Sequence, residues 1–118
     1  MCLRLAVRQV EAWLLADRDA IARHFHLRRQ VPDRPELEAD PKVVLVNLCR
    51  TSRRRDVREG MVPREASGRA IGPEYVALVR DFAANGWDPL RARPNAPSLD
   101  RAIRAIERMR QLFDGVES

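Results

Sequence analysis

Lysine is nearly missing from this chain of 118 residues: Lys42 stands alone beside 21 arginines. Cysteine occurs only at positions 2 and 49, too few for a disulfide framework. Histidine is confined to His24 and His26, and no cysteine lies near them at a zinc-ligand spacing, so they read as solvated or half-packed rings on a helix. No apolar run approaches the roughly 20 residues a bilayer-crossing helix needs, which argues against a membrane partner. No secretory leader is read at the amino terminus, so the cytoplasm is the expected location. Neither GxxxxGK[ST] nor GxGxxG occurs, which leaves a nucleotide-binding phosphate loop unsupported. Nor does a Ser/His/Asp or Cys/His arrangement point to a nucleophile.

What remains is a hydrophobic fraction of 45% and a charged fraction of 33%, the balance of a globular chain. Its length fits a single domain with one modest core over residues 1–118. The net charge of +5 carries little weight by itself, because arginine and alanine are both favoured by GC-rich coding. Clustering carries more. Seven arginines fall between Arg50 and Arg69, and only Asp56, Glu59 and Glu65 oppose them. Most of the chain's positive excess is therefore local.

Hydrophobic spacing predicts a mainly α fold of four or five packed helices. The opening is ambiguous. Leu3, Leu5 and Val7 alternate as in a strand, while Leu3, Val7, Val10 and Leu14 repeat as on a helix. If extended, residues 2–8 form an orphan strand without a ladder partner. Asp17 is expected to cap the turn that follows. Residues 27–40, with Pro32 and Pro35, read as a loop. Asp40-Pro41 then favours a helix through Cys49 over a buried strand. One helical turn near Arg53 to Glu59 and a helix over 73–84 come next, the latter with Tyr75, Leu78, Val79 and Phe82 inward. In the last helix, capped by Ser98, Leu99, Ala102, Ile103, Ile106, Met109 and Phe113 share a face. Trp13, Phe25, Tyr75, Phe82, Trp87 and Phe113 are the expected large core pieces.

The arginine segment carries the chemistry. A guanidinium presents a planar fork of donors that suits phosphate oxygens. Arg53, Arg54, Arg55, Arg58, Arg64 and Arg69 lie on a glycine-bearing stretch that leads into a helix start, where unpaired N–H groups also favour anions. A solvated loop whose arginines pair with nearby acids is the competing reading. Arg101, Arg104 and Arg108 read as the outer face of an amphipathic helix. Glu11, Asp17, Asp19, Asp33, Glu36, Glu38 and Asp40 are the acids a metal would need to gather, and their spacing makes them caps and solvent-facing acids.

Two stretches also carry a resemblance: Glu11 to Asp17 (EAWLLAD) and Ser52 to Pro73 (SRRRDVREGMVPREASGRAIGP). The chain resembles a bacterial domain-of-unknown-function family whose amino-terminal half is TOPRIM-like. Some members are encoded beside ABC-type or AAA ATPases, in settings of mobile elements or phage defence. The resemblance implies that this chain is the carboxyl-terminal part of a larger TOPRIM-like protein, with Leu3 to Val7 as the last strand of the α/β sheet. It implies Mg²⁺ as cofactor and Glu11 as the one remaining metal or catalytic acid. An ATPase partner and phosphodiester chemistry completed by acids outside this chain follow from it too.

Three functions compete. The first is nucleic-acid association through the arginine loop. The second is a protein-interaction module without catalysis, docking a missing domain, an ATPase or a second copy through the N-terminal segment and apolar surface near Trp13. An intact catalyst ranks last, because the carboxylates are few and scattered.

Overall fold

The computed structural model describes the backbone from residue 2 to 117 and side chains from 9 to 115. Among the described residues the fold is mainly helical and contains no strand. Seven α-helices occur among the described residues: α1 Cys2–Ala16, α2 Arg18–His24, α3 Pro41–Cys49, α4 Arg55–Met61, α5 Tyr75–Asn85, α6 Pro89–Ala92 and α7 Pro97–Glu117. Short 3-10 turns at Pro35–Leu37 and Arg93–Asn95 complete the order. The count exceeds the four or five expected because α6 is a short element in a stretch whose prolines read as loop, and because the single turn expected near Arg53 to Glu59 is a helix in its own right, α4.

Residues 3–7 lie inside α1, which corrects the orphan-strand expectation and its role as the last strand of a TOPRIM-like sheet. Both periodicities fit those few residues. The helical one continues through Glu11 to Ala16, where propensity favours helix, whereas no ladder partner for a strand occurs among the described residues. The branched run Val43 to Val46 is also helical: the Asp40 carboxylate accepts from the Val43 N–H at 3.3 Å, and Pro41 supplies the first helical position.

α1 is the central element and packs against α2, α3, α6 and both 3-10 turns. Leu14, Leu15, Ile21, Phe25, Leu45, Val57, Met61 and Phe82 form the main core with the buried end of Tyr75. Each large apolar side chain there stabilises the fold by roughly 1.5–3 kcal/mol. A second, smaller cluster joins Ala16, Ala92, Ala96 and Leu99, covered by Trp13, Trp87 and Ile103. Alanine offers little area, so hydrogen bonds fix this end. The Trp87 indole N–H donates to the Trp13 carbonyl at 2.8 Å, and Asn95 Nδ2 to the Ala16 carbonyl at 2.9 Å. Both satisfy carbonyls in the last turn of α1, which has no basic residue to do so.

Three expectations about caps and core are corrected here. Asp17 occupies the N-cap of α2 but makes no side-chain cap bond; its carboxylate turns to α6 instead. Ser98 is inside the first turn of α7 rather than before it, and the cap is distant. The Glu36 carboxylate accepts from the Ser98 N–H at 2.9 Å and from its hydroxyl at 2.6 Å, while that hydroxyl accepts from the Trp13 indole at 2.8 Å. Phe113 is 65% exposed and belongs to no core. Beyond Ile103, α7 runs past the body, and the molecule with α7 included measures 58 × 31 × 24 Å along its principal axes.

The segment from Val62 to Ile71 is closed at its neck. The Gly72 N–H donates to the Met61 carbonyl at 3.0 Å and the Glu74 N–H to the Gly60 carbonyl at 2.9 Å. Gly72 is required there: a Cβ would strike the Gly60 carbonyl oxygen and lie 2.6 Å from the Met61 carbonyl carbon, both immobile backbone.

Candidate nucleic-acid interface

The arginine segment does not form one surface. Thr51 to Arg54 turns from α3 into α4 over a buried serine. Ser52, 2% exposed, donates its hydroxyl to the Phe25 carbonyl at 2.5 Å and accepts from the Arg54 N–H at 3.1 Å. The Arg53 N–H donates to the His26 carbonyl at 2.9 Å. These bonds clamp the turn to the end of α2, where His26 adopts a left-handed φ of 52° and redirects the chain into Arg28 and Arg29.

The fold therefore gathers arginines that sequence distance keeps apart. Arg29 shares a shallow hollow with Gln30, Val44, Asn47 and Leu48. Arg50 reaches the same place, its Nε donating to Asn47 Oδ1 at 3.2 Å. Arg28, Arg29, Arg50 and Arg53 are all exposed, and among the described residues none has a carboxylate partner. Arg28 and Arg29 were not among the expected site residues. The Arg-Arg pair was visible, but its place beside the Thr51–Arg54 turn depends on the long-range Ser52 and Arg53 bonds.

The six expected arginines divide into two sets. Arg54 is engaged with Asp56, Nε lying 3.0 Å from Oδ1 and Nη2 on Oδ2. That hydrogen bond holds the Asp56 carboxyl below its ordinary range. Arg55 pairs with Glu59 one turn on at 2.7 Å, which raises its own pKa further. Arg58 spends one nitrogen on the Ser52 carbonyl at 2.6 Å and lines an open hollow with Glu59, Val62, Pro63 and Arg64. Arg53, Arg64 and Arg69 make no side-chain bond to an acid among the described residues. Arg64 and Arg69 ride on the closed loop at the far end of α4, where Glu65 and Glu74 are also exposed. The electropositive end of α4 is thus its amino-terminal one.

The start of α5 is poorly suited to an anion. Glu74 occupies its N-cap, and the Glu74 and Tyr75 N–H groups already donate to the Gly60 and Gly72 carbonyls. A carboxylate at that position opposes a second anion.

Glu11 is 6% exposed and accepts from the Tyr75 hydroxyl. Burial pushes its carboxyl above the ordinary range, against the lowering effects of Tyr75 and Lys42. Tyr75 is shifted upward as well, first by burial and then by Glu11. Magnesium needs several oxygen ligands and retains water, and no group of three or more candidate ligands occurs among the described residues. The residues around Glu11 do not fit that ion. Asp17 is likewise committed, Asp33 and Glu36 serve Arg18 and Ser98, and Asp40 caps α3. Cys49 is fully buried, and burial pushes its thiol up to about 12. The side chain of Cys2 lies outside the described residues.

No helix among the described residues is long and apolar enough to cross a membrane. Comparison of the chain with protein-family models, with curated proteins and with solved structures finds no match.

Proposed function

We propose that this protein associates with nucleic acid through phosphate groups held by Arg28, Arg29, Arg50 and Arg53, with Arg64 and Arg69 extending the contact. The carrying observation is the Arg53 N–H bond to the His26 carbonyl, which sets two arginine-bearing segments side by side. The segments that carry Arg28, Arg29, Arg50 and Arg53 then meet near the start of α4, where Asp56 is already held by Arg54. Arginine keeps its charge at any physiological pH, and its fork matches phosphate oxygens. The proposal assigns binding and no reaction. A cytoplasmic setting, where nucleic acid is at hand, belongs to the same reading.

Titrating a labelled duplex with the protein at about 50 and about 200 mM salt tests it. Affinity should fall with a log–log slope of about −0.9 for each phosphate neutralised. Arg28→Ala/Arg29→Ala should weaken binding and flatten the slope while the helical circular dichroism is retained. Absent or salt-independent binding rules the proposal out.

A second reading, a protein-interaction module, rests on α7. Near Trp13 the ring itself covers the small cluster with its N–H bonded to Ser98, and Val10 is the exposed large apolar side chain there. The exposed apolar stripe is Ile106, Met109, Leu112 and Phe113. Leu99, Ala102, Ile106, Met109 and Phe113 follow the three-four alternation of a coiled-coil seam. Four arginines and four acids balance along α7, so a second copy meets no net repulsion and an anionic lipid surface gains no attraction. The occupant on this reading is α7 of another copy.

A further inference from the structure

We infer that the arginine face takes the paired phosphate rails of a duplex rather than a single strand; this rests on the phosphate-binding reading above. Two observations carry it.

The first is the whereabouts of every aromatic ring. Proteins that hold single strands add stacking platforms to a basic groove, and removing one costs about an order of magnitude in affinity per base. This chain has three Phe, two Trp and one Tyr. Phe25, Phe82 and Tyr75 are buried in the core, packed with α1 to α5. Trp13 and Trp87 are half-buried over the alanine cluster, with their N–H groups spent on Ser98 and on the Trp13 carbonyl. Phe113 is exposed, but on the far half of α7. None of the six rings lies on the arginine face. His26 is the one ring there, and its carbonyl is occupied by Arg53 while its left-handed backbone redirects the chain.

The second observation is spacing. The arginines occupy the two ends of α4, whose seven residues make it about 10 Å long. A duplex presents one charge per about 1.7 Å of axis, so about six phosphates pass over that length, against about three on one strand. Arginines of the 26–30 loop and the Thr51–Arg54 turn stand at the amino-terminal end of α4 and those of the 62–71 loop at its other end, so together they span a length over which a duplex offers twice the phosphates of one strand. With no Phe, Tyr or Trp ring on that face, the contact reads phosphate and not base sequence.

Competition between a duplex, one of its strands and inorganic polyphosphate, each at equal phosphate concentration, tests the inference with the intact chain. The duplex should bind at least tenfold tighter than the strand, and duplexes of different sequence should agree within about threefold. His26→Asn, which keeps a residue tolerant of positive φ, should leave both affinities unchanged. A strand that binds as tightly as the duplex, or loses affinity in His26→Asn, overturns the inference and leaves phosphate binding standing. If duplex, strand and polyphosphate all fail to bind, the phosphate-binding reading falls and takes this one with it.

Discussion

Asp17, at the start of α2, receives Arg91 of α6 from 74 positions away: Nη2 lies 3.1 Å and Nε 3.2 Å from its carboxylate. The same carboxylate accepts from the Asp88 N–H at 2.9 Å, so a group only 3% exposed is fully bonded. Its two partners hold the alanine-lined end of the molecule, where apolar area is scarce.

Asp17→Ala should therefore cost about 1–3 kcal/mol, chiefly because the Asp88 N–H loses its buried acceptor. Arg91→Ala should also destabilise, by leaving a buried carboxylate without its cation. The double variant should lose clearly less than the sum of the two, since the groups act as one unit. Chemical denaturation midpoints measure all three. Additive losses would show that Arg91 is an ordinary surface residue.

The Glu11–Tyr75 pair sets a pH dependence with a definite sign. Burial raises the folded-state pKa of Glu11 above its ordinary value, so the native state holds its proton more tightly than the unfolded chain. That contribution to stability is fully present below about pH 4.3 and is lost as pH rises through the folded pKa. Glu11→Gln keeps an acceptor for Tyr75 and removes the charge. Its denaturation midpoint should exceed wild type at pH 7 and fall back to it near pH 4. Tyr75→Phe should cost about 1–2 kcal/mol at pH 7, because the carboxylate loses its donor. A Glu11→Gln protein weaker than wild type at neutral pH would mean that the carboxylate is stabilised there as an anion.

How much of this was legible in the sequence depends on the range of the interaction. Asp40-Pro41 announced α3 because a cap and a proline act within one turn, and the apolar spacing of Tyr75 to Phe82 announced α5 in the same way. Leu3 to Val7 fitted two periods at once, and only the absence of a strand to pair with separates them. Ser98 and Asp17 looked like local caps, but their partners are Glu36 and Arg91, 62 and 74 positions away. The density of arginine was equally plain. Which guanidinium groups remain free was not, because that depends on Arg54 meeting Asp56, Arg55 meeting Glu59, and the 26–30 loop returning to Arg53.

The stripe on α7 makes self-association testable without touching the core. Ile106 is 58% exposed in the single chain, so Ile106→Glu should shift stability by no more than about 0.5 kcal/mol. Sedimentation should show concentration-dependent dimers for wild type and none for the variant, since a charge at a seam position cannot be buried unpaired. A wild-type chain that stays monomeric at high concentration removes the second reading.

Asp56 offers the sharpest test of the arginine face, because it acts on charge without removing any guanidinium group. Its carboxylate neutralises Arg54, and that hydrogen bond lowers the Asp56 pKa from a value already far below neutral pH. Asp56→Asn withdraws one negative charge and releases Arg54 beside Arg53. Affinity for duplex should rise, and the salt slope should steepen by about 0.9 as one more phosphate is neutralised. Arg53→Ala should do the reverse by the same amount, whereas Arg55→Ala should change binding less, because Glu59 already holds that cation. Equal losses from Arg53→Ala and Arg55→Ala would mean that binding follows net charge alone, and the face assembled by the His26 contact would lose its distinction from the rest of the surface.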